Sequence, residues 1–194
     1  MAIFPETERK RLRLAEYDYS STGFYYITLC TYGRLCLFGE ISNEKMHLND
    51  AGKMVHNAWT NLPLHFPNMC LDRFIIMPNH FHAIAIIKNS HDIIRESGTA
   101  QRPSPTNTSL SDIIKNFKTY TTWSYIKGIH EDNWLSFEKK LWQRSFYEHI
   151  IRNEISLLKI QQYIIDNPQK WAWDQENPAN VKESEGTKKK REKG

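Results

Sequence analysis

The sequence contains no apolar run of roughly 18 residues, so it offers no segment able to span a bilayer. Its opening residues, Met-Ala-Ile-Phe-Pro-Glu, lack the basic-then-apolar order of a signal peptide. Cysteine is scarce: Cys30, Cys36 and Cys70 are the only three, and no two form a Cys-x-x-Cys pair. An odd number without a pattern predicts reduced, mostly packed thiols and a cytoplasmic setting. No glycine-rich Walker loop and no internal repeat occurs, which argues against nucleotide hydrolysis and against a solenoid. A large charge excess is missing too. Of the formal +4, residues 181–194 supply +3 through six Lys/Arg against three Glu, so the other 180 residues sum to +1. A basic tail on a balanced body permits a nucleic-acid partner without requiring one.

What is present suits one domain. The 194 residues, 40% apolar and 12% aromatic, can fill one core and fall short of two. The run Phe24–Thr31 is β-branched and aromatic and predicts a buried strand; Leu37–Ile41 predicts a shorter one. Asn49 or Asp50 caps an expected helix that runs to Leu62 and stops at Pro63. Two apolar runs, Leu71–Met77 and His80–Ile87, are divided by Pro78-Asn79 and read as a hairpin. Residues 89–108, rich in Ser, Thr, Asn and Pro, read as a mobile connection. A helix from Leu110 to Ile129 behind Ser109 or Ser111, a strand within Leu141–Ile151, and a helix to Asp166 behind Asn153 complete the series. Strand, helix, hairpin, helix, strand, helix predicts an α+β fold. The expected form is a ferredoxin-like antiparallel sheet with helices packed on one face, plus a C-terminal tyrosine-bearing helix. The domain is expected over 1–175, with a basic disordered tail over 176–194.

Chemistry enters at His80-Phe81-His82, which opens the second hairpin strand. Residues two apart on a strand share a face with Cα atoms roughly 6.6 Å apart, so two imidazoles can converge on one cation while Phe81 enters the core. Paired polar residues where an apolar strand should carry Val or Ile need a partner, and a cation is one. His47, His56, His65, His91 and His130 fall in expected loops or on helix surfaces. Glu148 and His149 end a strand, where they can support the site or simply pack.

On the last helix, about 100° per residue puts Ser156 near 20°, Lys159 near −40° and Asn167 near 40° of Tyr163. Tyr163 thus stands in a polar arc, apart from the isoleucines. Lys159, one turn before it, can contact a phosphate or favour the phenolate, and Asn167, one turn after, can offer an oxygen to a metal. A free tyrosine titrates near 10, so it needs such help to act as a nucleophile. The alternative is an amphipathic tyrosine with an exposed hydroxyl. Tyr147, beside Glu148 and His149, is the second candidate. Tyr120 and Tyr125 lie with Phe117, Trp123 and Ile126 on the middle helix, where packing or base stacking is expected.

Three segments together resemble a known family. Met77-Pro78-Asn79-His80-Phe81-His82, Leu141 through Arg152, and Tyr163-Ile164-Ile165-Asp166-Asn167-Pro168 are similar to the HUH single-tyrosine transposases, and most of all to the REP-associated tyrosine transposases. The resemblance spans roughly residues 15–173. It implies that His80 and His82 bind Mg2+ or Mn2+, with Asn167 where relatives place a third polar ligand. It further implies that Tyr163 attacks a phosphate of single-stranded DNA near a palindromic hairpin, leaving a 5′-phosphotyrosine and a free 3′-hydroxyl. Lys115, Lys118, Lys127, Arg144 and Lys159 are then candidate backbone contacts, and Trp142 a stacking surface. Two other readings keep the fold: a rolling-circle nickase, disfavoured by the short chain, and a hairpin-binding protein without strand transfer. Insertion-sequence relatives are dimers and REP-associated ones look monomeric, so both states stay open.

Overall fold

A computed structural model describes residues 22–88 and 108–180. Strand β1 (Gly23–Cys30) alternates strictly: Tyr25, Ile27 and Leu29 enter one hydrophobic cluster, Phe24 and Tyr26 another. It lies between β5 (His80–Ile87) and β6 (Tyr147–Ile151), and β4 (Met69–Ile76) closes the far edge, giving the order β4-β5-β1-β6 with every pairing antiparallel. The expected α+β, ferredoxin-like sheet is therefore present. Among the described residues no helix is long and apolar enough to cross a membrane.

Helices α1 (Asp50–Thr60) and α3 (Leu110–Glu131) cover one face, where Trp59, Phe81 and Phe117 pack ring against ring. Helix α4 (Glu154–Asp166) covers the other, with Ile160 and Ile164 against Tyr26, Ile84 and Ile151. Asn49, Ser109 and Asn153 cap the three helices, their side chains accepting from the backbone N–H of Gly52, Asp112 and Ser156. Gly52 is where α1 passes closest to its neighbour, since a Cβ there would meet the Phe38 carbonyl oxygen at 2.2 Å.

Several boundaries differ from the sequence expectation. Helix α1 ends at Thr60, and Pro63 sits in the first turn of a short α2 (Leu62–His65), where its missing N–H costs nothing. The expected strand 37–41 is displaced: Leu37 and Phe38 both donate to the Pro78 carbonyl, and pairing begins only at Gly39. Strand β2 (Gly39–Ser42) then turns through Asn43 and Glu44, both left-handed, into β3 (Lys45–Leu48), which the polar alternation did not signal. Of the expected strand 141–151 only the last five residues join the sheet. Trp142 forms a single bridge to Thr31, after which the Lys118 ammonium takes the Gln143 and Arg144 carbonyls. The 89–107 part of the expected connection and residues 181–194 of the expected tail lie outside the described residues. The preceding stretch folds back on the sheet as short turns, Pro168–Trp173 and Pro178–Asn180.

Candidate active site

Strand alternation sends Phe81 into the α1/α3 core and His80 and His82 to the α4 face, as the spacing predicted. Their ring centroids are 4.6 Å apart. The orientation of His80 is fixed by its neighbour. Asn79 donates through Nδ2 to the carbonyls of Arg34 (3.0 Å) and Glu176 (2.7 Å), so its Oδ1 is the acceptor facing His80 Nδ1 at 2.9 Å. The Nδ1 proton is thereby assigned, and Nε2 carries a lone pair. That Nε2 is buried with no hydrogen-bond partner, in a side chain with no exposed surface. His82 is held from β1, its Nδ1 lying 2.8 Å from both the Tyr26 and the Thr28 hydroxyl oxygens.

Burial pushes His80 down from 6.5 to about 4, against the opposing pull of Glu176 and Asn167. Burial, and then the charge of His80, lowers His82 as well. Both imidazoles are neutral near pH 7, the form that ligates a metal.

Helix α4 brings Tyr163 over this pair, its ring 5.4 Å from that of His82 and 6.3 Å from that of Tyr26. Burial raises the phenol, and the Asp174 carboxylate raises it further; hydrogen bonds with Asn167 and Tyr26 lower it. The hydroxyl is protonated at neutral pH and would ionise more readily beside a positive charge. Asn167, 1% exposed, points its Oδ1 inward with no hydrogen-bond partner. Two buried lone-pair atoms, His80 Nε2 and Asn167 Oδ1, thus share one site without a proton to satisfy either, which suits a bound cation. Among the described residues no group of three or more His, Cys, Asp or Glu side chains is placed to hold a metal ion.

Other expected site residues are dispersed. Glu148 opposes Ile27 and so faces the α1/α3 side, away from the histidines, because one residue along a strand reverses the face. His149 and Tyr147 oppose Tyr26 and Thr28 and share the histidine face; Tyr147 meets the Tyr26 ring at 6.2 Å. Lys159 is exposed on α4. Trp142 is 3% exposed and donates its indole N–H to the Thr121 hydroxyl. Lys118 staples the 143–144 backbone to α3, and burial lowers it to about 8. Lys127 pairs with Glu131 one turn on. Lys115, Lys118, Trp142 and Arg144 line one groove, of about 1100 Å³, together with Lys140 and the exposed Trp123.

The sequence reading did not single out Tyr26, Thr28, Trp171, Asp174 or Glu176. Tyr26 and Thr28 become visible only through the β1–β5 register. Trp171, whose ring lies 5.9 Å from that of His80, and the two carboxylates sit in irregular turns that carry no periodic signal.

No family model matches the chain. An uncharacterized protein of Haemophilus influenzae is 40% identical over 173 residues, covering 86% of this chain and 92% of that protein. Among solved structures, a REP-associated tyrosine transposase bound to a REP hairpin aligns at a TM-score of 0.48 with 20% identity, over 83% of this chain and 76% of that one. A candidate transposase of Deinococcus radiodurans aligns at 0.43 with 16% identity, over 84% and 98%. Neither structural likeness is close enough to transfer a residue's role.

Proposed function

This chain belongs to one family with the Haemophilus influenzae protein, and we propose that it is a metal-dependent tyrosine transposase acting on single-stranded DNA hairpins. The observation that carries the reading is the pairing of two unsatisfied buried acceptors, His80 Nε2 and Asn167 Oδ1, with a tyrosine ring 5.4 Å from that of His82. The motif resemblance to REP-associated tyrosine transposases supports it.

His80, His82 and Asn167 would hold the cation, Mg2+ or Mn2+. Bound there, the cation supplies Lewis-acid polarisation of the scissile phosphate and a positive charge beside the phenol. Asn79 keeps the His80 lone pair aimed at the site, and Tyr26 and Thr28 do the same for the His82 ring. Asn167 holds the Tyr163 phenol down against the upward push of burial. Tyr163 then attacks phosphorus; its oxygen–phosphorus bond forms as the bond to the 3′ oxygen breaks. The phenolic proton goes to solvent and the departing 3′ oxygen gains one. The 5′-phosphotyrosine conserves the phosphodiester, so a second 3′-hydroxyl can reverse the step and join a new strand without nucleotide hydrolysis. Lys115, Lys140 and Arg144, with Trp123, offer charge and a stacking face for DNA in the groove on the α3 side.

The test is incubation with Mn2+ and a single-stranded palindromic hairpin from beside the gene, resolved on a denaturing gel. Native protein should give a covalent adduct. Tyr163→Phe and the His80→Ala/His82→Ala double variant should give none. An adduct surviving Tyr163→Phe would move the nucleophile to Tyr147. Tight hairpin binding with no adduct from native protein would favour a binder without strand transfer.

A further inference from the structure

We propose that the groove between helix α3 and residues 140–146 is the docking site for an unpaired stretch of DNA, which continues round the β6 edge of the sheet to Tyr163. The inference rests on the hairpin-DNA reading above and adds to it the path and the unpaired form of the strand that flanks the stem.

Positive charge is gathered in this groove. Its walls hold four cationic side chains, Lys115, Lys118, Lys140 and Arg144, against one carboxylate, Asp112. That difference of +3 exceeds the +1 to which residues 1–180 sum, so the cations are not an average sample of the surface. Asp112 is already engaged. Its Oδ2 accepts from the Ser109 hydroxyl at 2.7 Å, in the first turn of α3, where the helix dipole favours a carboxylate. Lys118 is the least exposed of the four cations and donates to the Gln143 and Arg144 carbonyls. Burial, and then the charge of Lys140, lowers it to about 8. Lys140 itself is held 5.0 Å from the centroid of the Tyr32 ring. Like charges crowded in this way gain from a polyanion laid between them.

Trp123 distinguishes an unpaired strand from a duplex. Its side chain is 65% exposed, and it lines the groove roughly two turns along α3 from Lys115, beside the half-exposed Ile126. An open aromatic ring within a basic groove is a platform for a nucleobase. In a duplex the base faces are covered by their neighbours, whereas an unpaired strand offers them. The groove, at about 1100 Å³, is also larger than the roughly 300–1000 Å³ of small-molecule pockets, as an extended chain requires.

The route to the nucleophile follows from one pair of neighbours. Phe146 lines the groove and packs against the α1/α3 cluster. The next residue, Tyr147, opens β6 on the histidine face, with its ring 6.2 Å from that of Tyr26. Because β6 is an edge strand, a chain leaving the groove at Phe146 has only that edge to pass before it reaches the face of Tyr163. Duplex DNA, with a persistence length of about 150 base pairs, resists so tight a turn. An unpaired strand lacks that stiffness.

The test compares two labelled hairpins by fluorescence anisotropy with the full chain. One carries an unpaired flank of roughly eight nucleotides, and the other is trimmed blunt at the stem. Trp123→Ala should weaken binding of the flanked hairpin about tenfold and leave the blunt one unchanged, while Trp123→Phe should restore most of the loss. Lys140→Ala/Arg144→Ala should reduce the slope of log affinity against log salt by about 1.4 on the flanked hairpin, the value for two single-strand phosphate contacts. A 5-iododeoxyuridine placed in the flank should photo-crosslink to the peptide that carries Trp123. Equal losses on both hairpins would put the stem in the groove and overturn the proposal. No loss on either, or a crosslink only to other peptides, would overturn it too. In each of those cases a covalent adduct from native protein would leave the strand-transfer reading standing. If native protein binds neither hairpin, that reading falls and the proposal with it.

Discussion

The two faces of the sheet are built from the same strands in opposite ways. On the α1/α3 side, Tyr25, Ile27, Leu29, Phe81, Ala83 and Ala85 are buried with Trp59 and Phe117 in the larger of two hydrophobic clusters. On the α4 side the apolar cluster is smaller, and at the His80 end of β5 it gives way to His82, Tyr163, Asn167 and Asp174. Residue by residue along β5, one face packs Phe81, Ala83 and Ala85 into the larger core and the other carries His80 and His82. Folding is supported chiefly from one side, which leaves the other free to carry the burial of His80 and Asn167.

The sharpest way to break this contrast is to truncate neighbours on β5. Phe81→Ala should destabilise the protein by about 3–5 kcal/mol in denaturant melts, since it empties the centre of an aromatic cluster. His82→Ala, one residue on, should cost only roughly 1–2 kcal/mol, for the Tyr26 and Thr28 hydroxyls it abandons. Equal losses would end the distinction between the faces.

A pH series probes the polar face alone. His80 titrates at about 4 when folded and near 6.5 when unfolded, so the unfolded chain takes up the proton first. Stability is full above 6.5 and is lost as pH falls towards 4, by roughly 3 kcal/mol from this ring. Denaturant midpoints at pH 7, 5 and 4 should show the fall, and His80→Ala should flatten it. A fall as steep in the variant would assign the effect to carboxylates instead.

Smaller effects separate the core from the groove beside α3. Trp142→Phe should cost about 1 kcal/mol, for the indole bond to Thr121, and leave hairpin affinity unchanged in a fluorescence titration. Trp123→Ala should do the reverse. Lys127→Ala should move neither measurement beyond about 0.5 kcal/mol, because its partner Glu131 is an exposed neighbour on the same helix.

Most of the fold was legible where period and cap residues agree. The helices begin behind Asn49, Ser109 and Asn153, and the hairpin turns at Pro78-Asn79, as composition predicts. The β2–β3 hairpin was not, since its strands are short and half exposed and its turn rests on two left-handed residues that are not glycine. At the site, period two along β5 revealed the histidines. The helical wheel put Tyr163 and Asn167 on one polar arc apart from the isoleucines, whereas Tyr163 packs against the cluster that holds Ile160 and Ile164. Ile160 and Ile164 are buried, while Ile155, Leu158 and Ile165 are exposed, because the helix is turned to aim Tyr163 at the sheet. Asp174 had no such signature: its position depends on an Asn79 contact 97 residues away in sequence from Glu176, which no local pattern encodes.

The β5 register imposes a parity rule on how this chain can vary. His80 is fixed opposite Cys30, and His82 opposite Thr28 on β1 and Ile75 on β4. A single-residue insertion or deletion in the Met77–Asn79 turn that shifted β5 by one position would exchange its faces, driving both imidazoles into the aromatic core and Phe81 out beneath Tyr163. Length changes at that turn are tolerable only in steps of two, whereas β4, already irregular between Leu71 and Phe74, can absorb odd ones. Among natural variants of this chain, turn lengths before the histidine pair should therefore share one parity while the β4 edge drifts freely.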